Sequence, residues 1–507
     1  MKKEIIADVN PHEARVALLE DGELAEIQVE FRGNERLVGN IYKGRVENIL
    51  PGMQAAFVDI GLEKNAFLYA GDIMADKSDF EFQGNRTNVD RELKNANIKY
   101  LLKPNQEIMV QILKQPGGTK GARVTTHITL PGRMIVLMPT VDHVGVSRRI
   151  GDEAERERLK GIIEKHKPEG MGIIVRTAAV GCTEEKLAEE VNFLARLWGR
   201  IQDRAEFVSA PRLIHAEETL LFRTVRDMFT EDVERFVISD KDYYEKVLAV
   251  AEITTPALAQ RVEYFSKPDN IFDLYNIEPK IEKALAKKVW LDNGVYLYIE
   301  ETEALTVIDV NTGKYVGEDD LQETIVNTNI EAAKEIARQL RLRDIGGMIV
   351  IDFVDMEGEE NEAKVLQALE EALKADRTKT NVVGFTGLGL VEMTRKKVRR
   401  KLSALLLEEC KYCGSTGKVY SPQAMAMRVR REVHRYVLAK DSPRYLVEVS
   451  PATAKYIEEC NNQNQAILGL YEGKHFYLKG NRSLSAGECR VSVVLDEKSM
   501  NGAQIFC

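Results

Sequence analysis

Leu305-Thr306-Val307-Ile308-Asp309-Val310-Asn311-Thr312-Gly313 and Gly346-Gly347-Met348-Ile349-Val350-Ile351-Asp352-Phe353-Val354-Asp355 are each an apolar run that ends on, or is interrupted by, a carboxylate. Short runs rich in Val and Ile and bounded by glycine read as buried strands. An Asp at the carboxyl end of such a strand carries a desolvation cost unless it is paired or binds a cation. Two strands of one sheet that end this way can hold Asp309 and Asp352 on one hard ion. Mg²⁺ takes oxygen ligands and keeps several waters, so two carboxylates suffice. A cation there can polarise a phosphate and lower the pKa of a bound water. The competing reading is that each carboxylate caps the helix or turn behind it. For one strand alone that reading is preferred; for the pair, with Asn311 close behind Asp309, the metal site is. Asp355 reads as supporting rather than ligating.

Outward from these strands, helix and strand patterns alternate: helix 278–288, strands 295–300 and 304–310, helix 318–342, strand 347–354, helix 360–375, strand 381–386. This predicts an α/β domain. Helical spacing dominates 183–265, with Glu184–Phe207 and Ala216–Phe229 the clearest cases and Thr183 an N-cap. Residues 128–180 read as strands at Met134–Met138 and Gly172–Arg176 around a helix near 152–166. Residues 36–127 are strand-rich, and the polar stretch 77–98 reads as a long exposed insertion, partly disordered. Residues 1–35 are short strands with turns at Asp21-Gly22 and Gly33-Asn34. The tail, 420–507, predicts a helix near 422–440 and then strands, a small α+β domain.

Composition limits the function classes. The 507 residues are 44% hydrophobic and 30% charged, a soluble globular balance over three or four domains. No apolar run of about 18 residues exists, so no transmembrane helix is expected. The acidic start Met1-Lys2-Lys3-Glu4 is not that of a signal peptide. Six cysteines are too few for a disulfide scaffold and fit a reducing, cytoplasmic setting. A net charge of −9 argues mildly against a nucleic-acid partner, but the charge is polarised. Residues 101–150 carry +5 and residues 391–440 carry +9, leaving −23 on the rest. Such basic stretches can draw a polyanion locally, or can simply be solvated faces.

Two further patterns carry chemistry. Cys410-Lys411-Tyr412-Cys413-Gly414-Ser415-Thr416-Gly417 pairs two thiols at knuckle spacing before a glycine-rich turn. Structural zinc wants four ligands, and no second Cys-x-x-Cys is present, so two copies of the chain, each giving Cys410 and Cys413, would share one ion. The competing reading is a redox pair, disfavoured by the absence of a thioredoxin-like setting. Gly39-Asn40-Ile41-Tyr42-Lys43-Gly44-Arg45-Val46, Ala55-Ala56-Phe57-Val58-Asp59-Ile60-Gly61 and Asn65-Ala66-Phe67-Leu68 suit a small OB-type barrel. In such barrels exposed aromatics stack bases. From spacing alone, Phe57 and Phe67 read instead as core residues.

The motifs GNIYKGRV, QAAFVDIG, NAFL, VGVSRRI, GIIVRTAAVG, EALTVIDVNTG, GGMIVIDFVDM and CKYCGSTG, in this order and spacing, resemble the ribonuclease E/G family of bacterial endoribonucleases over nearly the full chain. With no long Arg- and Pro-rich extension behind the small domain, the resemblance leans to the ribonuclease G branch. It implies a multidomain α/β and α+β architecture. An RNase H-like domain is split between 1–35 and 215–278. An OB-type RNA-binding domain occupies 36–127, a 5′-sensor region 128–214 and a DNase I-like catalytic domain 279–400. A zinc link at 401–419 and a small dimerisation domain at 420–507 complete the chain. It implies Mg²⁺ on Asp309 and Asp352, with Asn311 holding an Asp or the scissile phosphate. It implies contacts of Phe57, Phe67 and Lys120 with single-stranded RNA, against the core reading, and phosphate contacts from Arg148 and Arg149. A 5′-monophosphate pocket maps to Gly132, Val136, Arg176 and Thr177, with Lys379 where better-known members carry an Arg. Lys offers a point charge rather than a bidentate fork, so dependence on the 5′ end is expected to differ. A second departure, Trp290-Leu291-Asp292-Asn293-Gly294-Val295 in place of paired glycines, suggests no consequence at this level.

The expected function is a Mg²⁺-dependent endoribonuclease specific for single strands. It would act on ribosomal RNA precursors and mRNA, favour A/U-rich sites and 5′-monophosphorylated RNA, and leave 5′-phosphate and 3′-hydroxyl ends. The expected assembly is a homodimer joined by shared zinc, or a higher oligomer. The alternative is a non-catalytic RNA-binding or cytoskeleton-associated protein, which would not need the carboxylate pair.

Overall fold

The computed structural model describes residues 2–33, 36–73, 98–116, 120–313, 321–462, 467, 473–494 and 504–506. The polar stretch expected as an insertion at 77–98 lies, but for its last residue, outside them. The chain divides into two units, residues 1–402 and 403–507.

In the first unit, Lys3–Val9, Glu13–Glu20 and Glu23–Phe31 form an antiparallel meander. The free side of Lys3–Val9 pairs in parallel with Val233–Ile238, which pairs in turn with Val262–Tyr264. The strands between Lys3 and Phe31 therefore share a sheet with strands more than 200 positions away. The region 183–265, expected to be mainly helical, holds both of those strands and Arg212–His215. Glu184–Phe207 is a helix as expected, but Ala216–Phe229 shortens to Leu220–Asp227. Thr183 sits at the N-cap position without capping through its hydroxyl. That hydroxyl instead bonds the Glu185 carboxylate.

Five strands close a barrel: Ile41–Leu50, Ala55–Asp59, Ala66–Tyr69, Arg123–Thr125 and Glu107–Lys114, the last pairing back onto the first. This closure is consistent with an OB-type domain. Ala56, Val58, Ala66, Leu68, Val110 and Val124 fill its interior. Next come Ile135–Met138 and Gly172–Val175, antiparallel and flanked by Val144–Val146 and Leu130–Pro131. The helices Glu153–His166 and Glu184–Phe207 share one core with this sheet.

The last sheet of this unit has six strands in the order Lys288–Trp290, Tyr296–Glu301, Leu305–Asn311, Gly347–Asp352, Leu390–Arg395, Thr380–Phe385. The helix pattern expected over 278–288 ends at Leu285, and an edge strand begins three residues later. Leu390–Arg395 also went unread, although Val391, Met393 and Arg395 are buried in strand alternation with Glu392 and Thr394. The helices Leu321–Leu342 and Glu359–Leu373 cover one face, packing Ala333, Ile336, Leu340, Val365 and Leu369 on Leu297, Ile308, Val310, Ile349 and Ile351. Burying each Leu, Ile or Val of this kind contributes about 1.5–3 kcal/mol. The longer helix also anchors the sheet to the N-terminal meander: buried Arg341 bonds Glu20 and Glu26, and Arg338 bonds the Leu24 carbonyl. The second unit packs the helices Pro422–Ala439 and Pro451–Asn462 on Arg444–Val449, His475–Gly480, Cys489–Val493 and Gln504–Phe506.

Candidate active site

Side chains along a strand alternate between faces. In Leu305–Asn311, Thr306, Ile308 and Val310 are buried under the helices, which turns Val307, Asp309 and Asn311 to the opposite face. Gly347–Asp352 runs parallel to it with Asp352 beside Asp309. Neighbouring strands lie about 4.8 Å apart, so two carboxylates stand side by side at the carboxyl ends of adjacent strands. Asn311 Nδ2 donates to Asp309 Oδ2 at 2.8 Å, which fixes that carboxylate. Asp352 makes no such bond among the described residues. Burial, then the charges of Asp309 and Asp355, push its pKa above the ordinary value of 3.8. A like-charged pair in this state fits a cation, which would relieve the repulsion that raises Asp352.

One residue that sequence reading missed supports this strand end. Asn329, fully buried in Leu321–Leu342, donates from Nδ2 to the Val354 carbonyl at 2.8 Å and accepts the Val354 amide at 3.1 Å. It pins the backbone between Asp352 and Asp355. An Asn on an amphipathic helix gives no local signal of that reach.

Phe57 and Phe67 are cross-strand partners on the outside of the barrel, edge to face with centroids 6.1 Å apart. Both are half-buried and neither belongs to the barrel core, so the core reading of their spacing is corrected. Alternation was the deciding signal: the small or branched residues beside them point in. Lys120 is exposed, three residues before the strand Arg123–Thr125 that pairs with Phe67. Its neighbour Gly121 is needed there, because a Cβ would lie 2.0 Å from the Asn65 carbonyl.

Arg176 donates from Nη1 to the Gly132 carbonyl and from Nη2 to Asp227 at 2.7 Å. Burial works against the Asp227 charge, but Arg226 and Arg176 outweigh it and its pKa is lowered. The Gly132–Ile135 turn is held by Glu190, whose carboxylate accepts the amides of Arg133, Met134 and Ile135. A Cβ on Gly132 would strike that carboxylate at 2.7 Å. Val136 lies in the adjoining strand, and Thr177 follows Arg176 on the surface. Lys379 is exposed, in a loop whose Arg377 donates to the Asp227 carbonyl at 3.0 Å. Arg149 is exposed and donates from Nη2 to the carbonyls of Asp376 and Arg377 in the same loop. Arg148 is exposed beside it. Asp227, Glu190 and Arg377 were not read from sequence, because their partners lie 50 to 150 residues away.

In the second unit, the Cys413 amide, then its thiol, then the Tyr412 amide bond the Cys410 sulfur and lower its pKa. Left-handed turns at Gly414 and Gly417 follow. Amides aimed at a thiolate fit a metal knuckle. The remaining cysteines among the described residues, 182, 460 and 489, are free.

A model described as the Ribonuclease E/G family matches residues 129–398. Ribonuclease G of Salmonella typhimurium is 44% identical over 474 residues, 94% of this chain and 96% of that protein. The chain belongs to the ribonuclease E/G family. Ribonuclease G of Haemophilus influenzae is likewise 44% identical, over 479 residues and 96% of its length. Ribonuclease E of Nostoc sp. is 39% identical over 421 residues, 82% of this chain but 59% of that protein. Among these relatives of the ribonuclease E/G family, the expected lean to ribonuclease G is borne out. No helix among the described residues is long and apolar enough to cross a membrane.

Proposed function

We propose that this chain, an endoribonuclease by family, cuts single-stranded RNA with Mg²⁺ held by Asp309 and Asp352. The observation that carries the reading is their side-by-side register on parallel strands, on the face the helices leave open. Among the described residues no three His, Cys, Asp or Glu converge on one point. The two carboxylates would therefore share the cation's shell with water and phosphate oxygens, the habit of Mg²⁺. Bound there, Mg²⁺ supplies charge to a phosphate oxygen and acidity to a water. Asn311 keeps Asp309 oriented, and Asn329 keeps the Asp352–Asp355 backbone in place. Phe57 and Phe67 offer a stacking surface, and Lys120 and Arg148 offer charge to the backbone. Attack by water with loss of the 3′ oxygen leaves 5′-phosphate and 3′-hydroxyl ends.

The 132–136 turn with Arg176, Thr177 and Lys379 is the proposed seat of a 5′-monophosphate. The substrates proposed are ribosomal RNA precursors and mRNA, at A/U-rich sites in the cytoplasm. By the family resemblance we assign the first sheet, the barrel, the 128–214 sheet and the six-stranded sheet to the RNase H-like, OB-type, 5′-sensor and DNase I-like regions; the closed barrel is what supports the OB-type assignment. Cys410 and Cys413 supply half a zinc site, completed by a second copy. Zinc at half an atom per chain, and a shift to monomer in Cys413→Ser on sizing, support that assembly; an unchanged dimer rejects it. For the reaction, a 5′-labelled A/U-rich RNA is incubated with Mg²⁺ and then with EDTA. Cleavage that EDTA abolishes supports the reading, and binding without cleavage sinks it.

A further inference from the structure

The open face of the six-stranded sheet carries more than its carboxylates. Direct cross-strand partners in antiparallel pairs project to the same side. Tyr298 pairs with Asp309 and Tyr296 pairs with Asn311. On the next strand, Lys288 pairs with Tyr298 and Trp290 with Tyr296. One row across the sheet therefore reads Lys288, Tyr298, Asp309, Asp352, and the next reads Trp290, Tyr296, Asn311. Trp290 is 53% and Tyr298 38% exposed, whereas Trp198, the other tryptophan, is 4% exposed. The rings of Trp290 and Tyr296 lie 4.9 Å apart at 54°, with Lys288 Nζ 4.0 Å from the first centroid and 3.5 Å from the second.

We propose that Trp290, Tyr296 and Tyr298 form a stacking platform for an unpaired RNA base beside the scissile phosphate, with Lys288 bracing the rings. The inference rests on the Mg²⁺-nuclease reading for what lies at Asp309. Trp290 on the edge strand and Tyr298 on the strand inside it stay exposed, and an edge bearing Trp invites unwanted pairing. Their placement one and two strand spacings from the carboxylates, about 5 and 10 Å, is within a nucleotide's reach of the reacting phosphate. Base-on-aromatic stacking tolerates any base, and a cation against the rings keeps the surface compatible with a polyanion. The occupant that fits is therefore a nucleobase on a single strand, held by its π-face rather than read by its edge.

The chain's two tryptophans make the test direct. Full-length protein in EDTA is titrated with a short single-stranded RNA carrying one cleavage site, and tryptophan emission is followed. Emission is expected to fall with RNA, and the fall is expected to vanish in Trp290→Phe. In Mg²⁺, Tyr298→Ala with Trp290→Ala is expected to raise KM about 5- to 150-fold, with a smaller change in kcat. An abasic nucleotide next to the cleaved phosphate is expected to cost wild type a similar factor and the double variant nothing further. Wild-type cleavage with unquenched Trp290 and an unchanged KM in the double variant overturns the platform and leaves the nuclease reading standing. Quenching by RNA in a protein that does not cleave overturns the nuclease reading alone. Emission that follows protein concentration and ignores RNA makes the face a contact between copies, and overturns the platform.

Discussion

The six-stranded sheet treats its aspartates in two opposite ways. At the carboxyl end of Leu305–Asn311 and Gly347–Asp352, on the open face, Asp309 and Asp352 face each other with no cationic partner bonded to either among the described residues. At the far end of Gly347–Asp352, its first residue pairs with Arg395. Arg395 is buried, donating to Asp376 at 2.6 Å, Asp344 at 2.9 Å and the Ile345 carbonyl at 3.0 Å. Arg399 adds a second contact to Asp344 at 2.8 Å. A carboxylate set against arginine is a scaffold that satisfies itself. A carboxylate set against a carboxylate stores repulsion that a bound cation or a proton relieves. The same residue type, in and beside one sheet, is thus neutralised by arginine at one end and left like-charged at the other.

Breaking the satisfied cluster gives the largest effect. Asp376→Ala leaves Arg395 buried without its closest partner, and denaturant unfolding should show a loss of about 3–5 kcal/mol. Breaking the unsatisfied pair should do the reverse. Asp309→Asn or Asp352→Asn should lower cleavage at least about 100-fold in single-turnover assays, the scale of a lost electrostatic group in a reaction centre. Stability without metal should hold or rise, because a like charge is gone. A variant cleaving at the wild-type rate removes the metal assignment. Phe57→Ala should raise KM by the worth of one stacked base, about 1–3 kcal/mol, with kcat nearly unchanged.

The smallest effect is in pH dependence. The folded pKa of Asp352 lies above its unfolded value near 3.8, so ionising it costs stability. That cost is absent below the unfolded value and grows as pH rises through the window up to the folded pKa. Without metal, the stability gap between Asp352→Asn and wild type should open across this window. Mg²⁺ needs the ionised form, so its affinity should fall as pH drops through the same window. Asp355→Asn removes one of the raising charges and should move the midpoint down; an unmoved midpoint refutes that coupling.

The comparison also explains how much could be read from the sequence. Asp309 and Asp352 were legible because an acid ending an apolar run is a local anomaly. Arg395 was not, since its burial depends on Asp344 and Asp376, which no spacing rule joins. Trp290 showed only as a departure from the family pattern, and its meaning needed the register with Tyr296 and Asn311. Likewise, Phe57 and Phe67 looked like core until strand alternation placed them outside. Gly132 and Arg176 came through resemblance, whereas Glu190 and Asp227, which hold them, came only through three-dimensional contact.

The pairing of Lys3–Val9 with Val233–Ile238 has a consequence for synthesis. The meander emerges from the ribosome ahead of its parallel partner, with one long side unmatched. Its parallel partner follows some 230 residues later. At about 5–20 residues per second, that edge waits on the order of 10–50 s, while the barrel and the 128–214 sheet complete themselves behind it. The nascent chain must therefore shield an apolar edge while those 230 or so residues are made, and slowing or chaperoning that interval should govern yield more than the stability of the finished fold.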